Sequence, residues 1–290
     1  MSKGTPAEAA DLPILLVYTA RERARAFVRG VFPRRKWKIV TVRDVNEFGD
    51  VCRNMLVDAA IVDVGSPWAA ATAGGEATGA GSFIPGTAHD DSWKIMALAH
   101  EFPSAPFFAV SPYRATDSPA IARAASLECA DILADGLDDA VAHDLVAART
   151  FSSRFAAALR EPPASLGLKT EMQVATWRLI IAGAGKPVRT ASLAREAGVS
   201  REHLSRHFSA PRSPNMKRVI DLVRMIGAAE LAKNPGLDIR DIARILGFAS
   251  SSHLAVTAQR VLGVRPASLS RLRTVDLIER FTQGRTRSRA

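Results

Sequence analysis

The chain has 290 residues, 47% hydrophobic and 23% charged, a composition that excludes a wholly disordered protein and predicts two domains. No run approaches the ~18 consecutive apolar residues of a membrane span, and the first residues lack the basic-then-apolar layout of a secretory signal. A soluble, cytoplasmic protein without membrane contact is therefore expected. Two cysteines, Cys52 and Cys129, exclude a disulfide framework or a cysteine-rich zinc site.

In chain order, Ile14–Val17, Lys38–Val42, Ala59–Val62, Phe107–Val110 and Asp131–Leu133 are short, mostly continuous apolar runs, the pattern of strands buried on both faces. Helix-compatible stretches lie around 20–30, 44–56, 92–101, 117–127 and 137–159. Successive βα units predict a parallel (βα)5 sheet domain, covered by helices, over residues 10–158. Residues 66–91 interrupt the alternation with an Ala/Gly/Thr-rich run. We read it as a flexible insertion, because its glycines do not lead a strand into a helix at dinucleotide spacing.

Glu161-Pro-Pro163 closes this region, since tandem prolines remove backbone donors and disfavour helix before them; the linker is placed at 159–169. From 170 to 275 the reading is all-α. A first helix carrying Met172, Trp177, Leu179 and Ile180 stops near Gly183–Gly185. A long helix follows from about Asn215 to Lys233, and Asn234-Pro-Gly236 ends it. Residues 281–290, with Arg285, Arg287 and Arg289, read as a basic disordered tail able to touch phosphates.

Charge separates the halves. Residues 1–160 hold 17 Lys/Arg and 19 Asp/Glu, a net of −2, whereas residues 161–290 hold 22 and 10, a net of +12. A near-neutral half joined to a strongly basic one suggests a control module attached to a polyanion-binding module.

The basic half contains an internal repeat. Leu193-Ala-Arg-Glu-Ala-Gly198-Val199 aligns with Ile242-Ala-Arg-Ile-Leu-Gly247-Phe248 at an offset of 49, and after one inserted residue Ser200, His203 and Leu204 recur as Ser250, His253 and Leu254. Each copy reads as helix, glycine turn, serine cap and second helix, which is the layout of a helix-turn-helix. At about 100° per residue, Arg201, Glu202, Ser205, Arg206 and Ser209 share an arc of about 140°, with Leu204 and Phe208 to one side. The corresponding arc of the second copy holds Ser251, Ser252, Ala255, Val256 and Gln259, with Arg260 and Arg265 nearby. An ion pair between Glu202 and Arg206 is the structural alternative to a DNA contact by Arg206.

These segments, with Arg224, Ala228 and Leu231 of the linking helix and Leu262–Arg271, resemble the AraC/XylS-type DNA-binding domain. The resemblance implies a transcriptional regulator, not an enzyme, that binds double-stranded DNA and uses no cofactor. The expected DNA-contacting residues are Arg201, Glu202, Ser205, Arg206, Ser251, Ser252, His253, Gln259, Arg260 and Arg265. RNA polymerase or another regulatory protein, and a second copy joined through the N-terminal domain, are the further partners it suggests.

The first half resembles a response-regulator receiver domain. Asp63 stands where a receiver places its phosphate-accepting aspartate, at the end of the third strand, and Ser111 supplies the hydroxyl after the fourth. Tyr18-Thr19 replace the acidic residues that hold Mg²⁺, and Ala134-Asp135 replace the lysine. Phosphoryl transfer to a carboxylate needs a metal between two anions, so a non-phosphorylated, degenerate receiver is expected. Phosphate acceptance by Asp63 stays open as the alternative. The six histidines suggest no helical pair with metal-ligand chemistry, and no metal or catalytic site is expected.

Overall fold

The computed structural model describes residues 12–65, 88–209 and 214–287. It divides into two compact units, residues 1–52 with 57–150, and residues 53–56 with 151–290.

The first unit is an α/β sandwich. Strands β1 (Ile14–Tyr18), β2 (Lys38–Thr41), β3 (Ala59–Asp63), β4 (Phe107–Ser111) and β5 (Asp131–Ala134) form one parallel sheet in the order β2-β1-β3-β4-β5. Helices α1 (Glu22–Val31), α2 (Val45–Asn54), α3 (Ala88–Ala97), α4 (Ser118–Ser126) and α5 (Asp139–Arg149) alternate with the strands. Alternate residues Leu15 and Val17, Ala59 and Ile61, and Phe108 and Val110 point to one face, where Phe27, Val28 and Val31 of α1 meet Ala142 and Val146 of α5. On the other face, Phe48 of α2 packs against Phe107 at a ring separation of 5.5 Å. Because both faces are covered, β1, β3 and β4 are buried at every position, and their sequences read as unbroken apolar runs. The strand order is that of flavodoxin-like folds, and it reverses at β1/β3, the switch point where such sheets open a crevice.

The segment read as an insertion lies outside the described residues from 66 to 87, and Ala88–Asp91 already belong to α3. The helix expected at 137–159 is two helices. Thr150, with ψ at 153°, ends α5, and its hydroxyl donates to the Ala147 carbonyl. Helix α6 (Phe151–Ala158) then buries Phe151 and Phe155 in the second unit. In the stretch read as a linker, Leu166 and Leu168 are buried in that same core.

The second unit is helical. Around the central α10 (Met216–Leu231) lie α7 (Glu171–Ala182), α8 (Thr190–Glu196), α9 (Arg201–His207), α11 (Ile239–Ile245), α12 (Ser251–Leu262) and α13 (Thr274–Arg287). α10 is buried almost all round, as expected of a helix packed on every side. Gly185, at φ +86°, and Gly227 let two backbones touch: a Cβ on Gly227 would stand 3.1 Å from the Gly185 Cα. The tail read as disordered starts inside α13. Phe281 is fully buried, and Arg218 stacks over its ring at 5.1 Å. That aromatic lies one turn after Leu277 and Ile278, and the basic composition beyond it masked the apolar spacing. Residues 288–290 lie outside the described residues.

Candidate nucleic-acid interface

The repeat seen in the sequence is a repeat in geometry. Gly198 and Gly247 both take the left-handed conformation, at φ +67° and +62°. Val199 N–H donates to the Ala194 carbonyl at 2.9 Å, and Phe248 N–H to the Ala243 carbonyl at 2.8 Å, which is the six-to-one bond of a Schellman turn. Ser200 and Ser250 then cap α9 and α12, each hydroxyl accepting the amide of the third residue on, at 3.1 Å. Both second helices thus leave the turn with the same local hydrogen bonding. Leu204 and Phe208 fix α9 from beneath, as Leu254, Ala258 and Val261 fix α12.

Their outer faces differ. On α9, Arg201, Glu202, Ser205, Arg206 and Ser209 are all exposed, as the helical arc predicts. Arg206 forms no ion pair with Glu202, and among the described residues neither Arg201 nor Arg206 has a side-chain partner. On α12, Ser252, His253 and Gln259 are exposed, Ser251 is half-buried, and Val256 stands 64% exposed. The His253 ring meets Phe248 edge-on at 5.7 Å. Arg260 donates to Asp221 of α10 at 2.8 Å while its side chain remains 51% exposed, and Arg265 is exposed just before a 3-10 turn.

Two features escaped the sequence reading. Arg224 of α10 holds the second turn in place: its guanidinium lies 3.8 Å from the Phe248 ring centre and donates to the Leu246 carbonyl at 2.9 Å. Burial pushes its guanidinium below the ordinary arginine range, partly offset by Asp221. Only the family resemblance flagged that residue. The second feature is a histidine pair on one helix. His203 and His207, four residues apart on α9, bring their Nε2 atoms to 3.2 Å. The spacing was present in the sequence.

In the first unit, the carboxylate of Asp63 lies at the switch point and is fully buried. Its Oδ1 accepts from Arg21 Nη2 at 2.6 Å, Arg21 Nε at 2.9 Å and Gly65 N–H at 3.1 Å. Its Oδ2 accepts from the Arg21 amide at 2.9 Å. The same guanidinium donates through Nη1 to Asp135 Oδ2 at 2.8 Å, and Arg23 Nε lies 3.3 Å from Asp135 Oδ1. Burial alone would lower the Arg21 pKa; hydrogen bonds and charge from Asp63 and then Asp135 carry it above the ordinary value. Ser111 is buried at the end of β4, and its hydroxyl accepts the Tyr113 amide at 3.2 Å. Tyr18 and Thr19, at the end of β1, are buried. Among the described residues no group of three or more His, Cys, Asp or Glu could hold a metal.

Comparison with known proteins bears on the second unit. Residues 193–271 match a family model described as a helix-turn-helix domain. The segment that carries the two repeated turns is thus similar to a helix-turn-helix domain. It is similar to the HTH-type transcriptional regulator GlxA of Rhizobium meliloti (strain 1021), with 31% identity over 109 residues, 38% of this chain. The chain spans 31% of the length of that relative. Solved structures similar to it include full-length FixJ from B. japonicum, at 13% identity and TM-score 0.34 over 85% of this chain and 96% of that one. A phosphorylated response regulator from Burkholderia pseudomallei aligns at 15% identity and TM-score 0.32 over 69% and 99%. Among the described residues, no helix is long and apolar enough to cross a membrane.

Proposed function

We propose that the chain is a sequence-specific, DNA-binding transcriptional regulator with two helix-turn-helix units. α9 and α12 enter successive major-groove segments about one turn, ~34–36 Å, apart, and α10 sets their separation. The observation that carries this reading is the face of α9. Arg201 and Arg206 project from a capped, core-anchored helix with their guanidinium donors uncommitted among the described residues. Such donors make bidentate bonds to guanine O6 and N7. Glu202 and Ser205 complete that face. On α12 the contacts are Ser251, Ser252, His253 and Gln259, with Val256 available to a thymine methyl; Arg260 and Arg265 serve the phosphates.

In this reading the first unit regulates as a degenerate receiver that takes no phosphate, by pairing with a second copy, with RNA polymerase or with another regulatory protein. The engagement of both Asp63 oxygens by Arg21 supports it. A second reading, phosphate acceptance on Asp63, is favoured by that residue's place at the end of β3 with Ser111 at the end of β4. It requires Arg21 to withdraw and a metal to neutralise the incoming charge.

Competition binding by the full chain tests the main reading. One promoter fragment should be preferred over bulk DNA by about 10³ or more. Equal affinity for all duplexes would overturn it.

A further inference from the structure

The histidine pair on α9 has no role in the DNA reading. The two rings lie about 60° and 100° around the helix beyond Arg206, flanking the contact arc. Their Nε2 atoms face each other at 3.2 Å, and the ring centroids are 4.9 Å apart. Imidazole nitrogens bind Zn²⁺ at ~2.0–2.1 Å, so two ligands at a tetrahedral angle stand about 3.4 Å apart. The pair is therefore already set near the bite of one ion. The carbonyl of His207 accepts from Gln173 Nε2 of α7 at 2.8 Å, and Leu204 and Phe208 pin the helix from beneath. The backbone carrying the pair is thus held by packing rather than left to fray. The second copy lacks the arrangement: His253 recurs, but Thr257 stands where the partner would be.

We infer that His203 and His207 form a two-imidazole site for a borderline divalent transition ion, with Zn²⁺, Ni²⁺ or Cu²⁺ as its class. Among the described residues no third His, Cys, Asp or Glu joins them, so the remaining coordination positions are open to water or an exogenous oxygen. In the present hydrogen bond one ring donates its Nε2 proton to the other. On binding, that ring carries its proton on Nδ1 instead, exchanged through solvent, so that both Nε2 lone pairs face the ion. Hard cations such as Mg²⁺ prefer all-oxygen ligands and are excluded by the donor set. The site stands or falls independently of DNA recognition.

Isothermal titration of the full chain with Zn²⁺ alone, without DNA, tests it. One saturable ion is expected that weakens about tenfold or more in His203→Gln and in His207→Gln, is unchanged in His253→Gln, and has no Mg²⁺ counterpart. Pulsed electron paramagnetic resonance of the Cu²⁺-loaded wild type should report two imidazole nitrogens, a readout independent of any variant. Zn²⁺ affinity unchanged in both α9 variants, or fewer than two imidazole nitrogens on the copper, overturns the site.

Discussion

A Cβ built on Gly65 would stand 2.4 Å from Cζ of Arg21. The backbone after β3 thus passes so close to the guanidinium that only glycine leaves it room, while the Gly65 amide bonds the same carboxylate that Arg21 holds. Gly65→Ala should displace Arg21 and destabilise the first unit by about 1–3 kcal/mol. Urea unfolding of the full chain measures this; an unchanged transition would mean that the guanidinium swings aside without loss.

Arg21→Met should cost more, about 3–5 kcal/mol, because it leaves Asp63 buried with no cation and Asp135 with Arg23 alone. Adding Asp63→Asn removes one of the stranded charges and should recover part of the loss. A double variant as unstable as the sum of the two singles would show that the residues are not coupled.

Incubation with a small phosphodonor and Mg²⁺ should leave the mass of the protein unchanged. A stable gain of one phosphoryl group, absent in Asp63→Asn, would favour the second reading of the first unit instead.

Arg206→Ala should cost about 1–3 kcal/mol on the preferred site and relax base choice in one half of it, while Ser252→Ala and Val256→Ala each cost less. Equal weakening on matched and scrambled duplexes would make Arg206 a phosphate contact. Arg224→Lys offers a complementary variant that leaves the exposed faces of α9 and α12 unchanged. It keeps the charge but loses the planar stack on Phe248, so binding through α12 should weaken while binding through α9 persists.

Asp238 caps α11, and its carboxylate is held below the ordinary aspartate range, chiefly by the Asp241 amide; burial opposes this, and the Arg240 amide and the charges of Arg240 and Arg244 add to the lowering. A carboxylate depressed in the folded state stabilises above its unfolded value and loses that contribution as pH falls through the folded one. The cap should therefore weaken below pH about 4. Asp238→Asn keeps a capping oxygen but not the charge, so its stability should lie slightly below the parent at pH 7 and fall less steeply in acid. Parallel acid limbs in the two proteins would count against this.

Much of this was legible in the residues. Strands buried on both faces announce themselves as apolar runs, so Ile14–Tyr18 and Phe107–Ser111 extend the expected spans by only one residue. The duplicated glycine and serine located both turns because left-handed backbone and an N-cap each demand a narrow set of residue types. What escaped depended on contacts distant in sequence. Arg21 meets Asp135 across 114 residues, and nothing in the local pattern of either announces the other. Thr150 breaks a helix that periodicity carries straight through, because the packing of Phe151 and Phe155 decides the matter rather than propensity. The pair His203 and His207 was different: the four-residue spacing was visible, and only the facing of the two rings was not.

The cation between Asp63 and Asp135 is part of the chain. A dissolved metal ion occupies such a place in proportion to its concentration and leaves when that concentration falls. A guanidinium attached three residues after β1 faces a local concentration fixed by covalent bonds, which neither chelator nor cellular ion supply can alter. Occupancy of this crevice is consequently inherited with the sequence, and it changes by mutation or by unfolding rather than by the ionic composition of the surroundings.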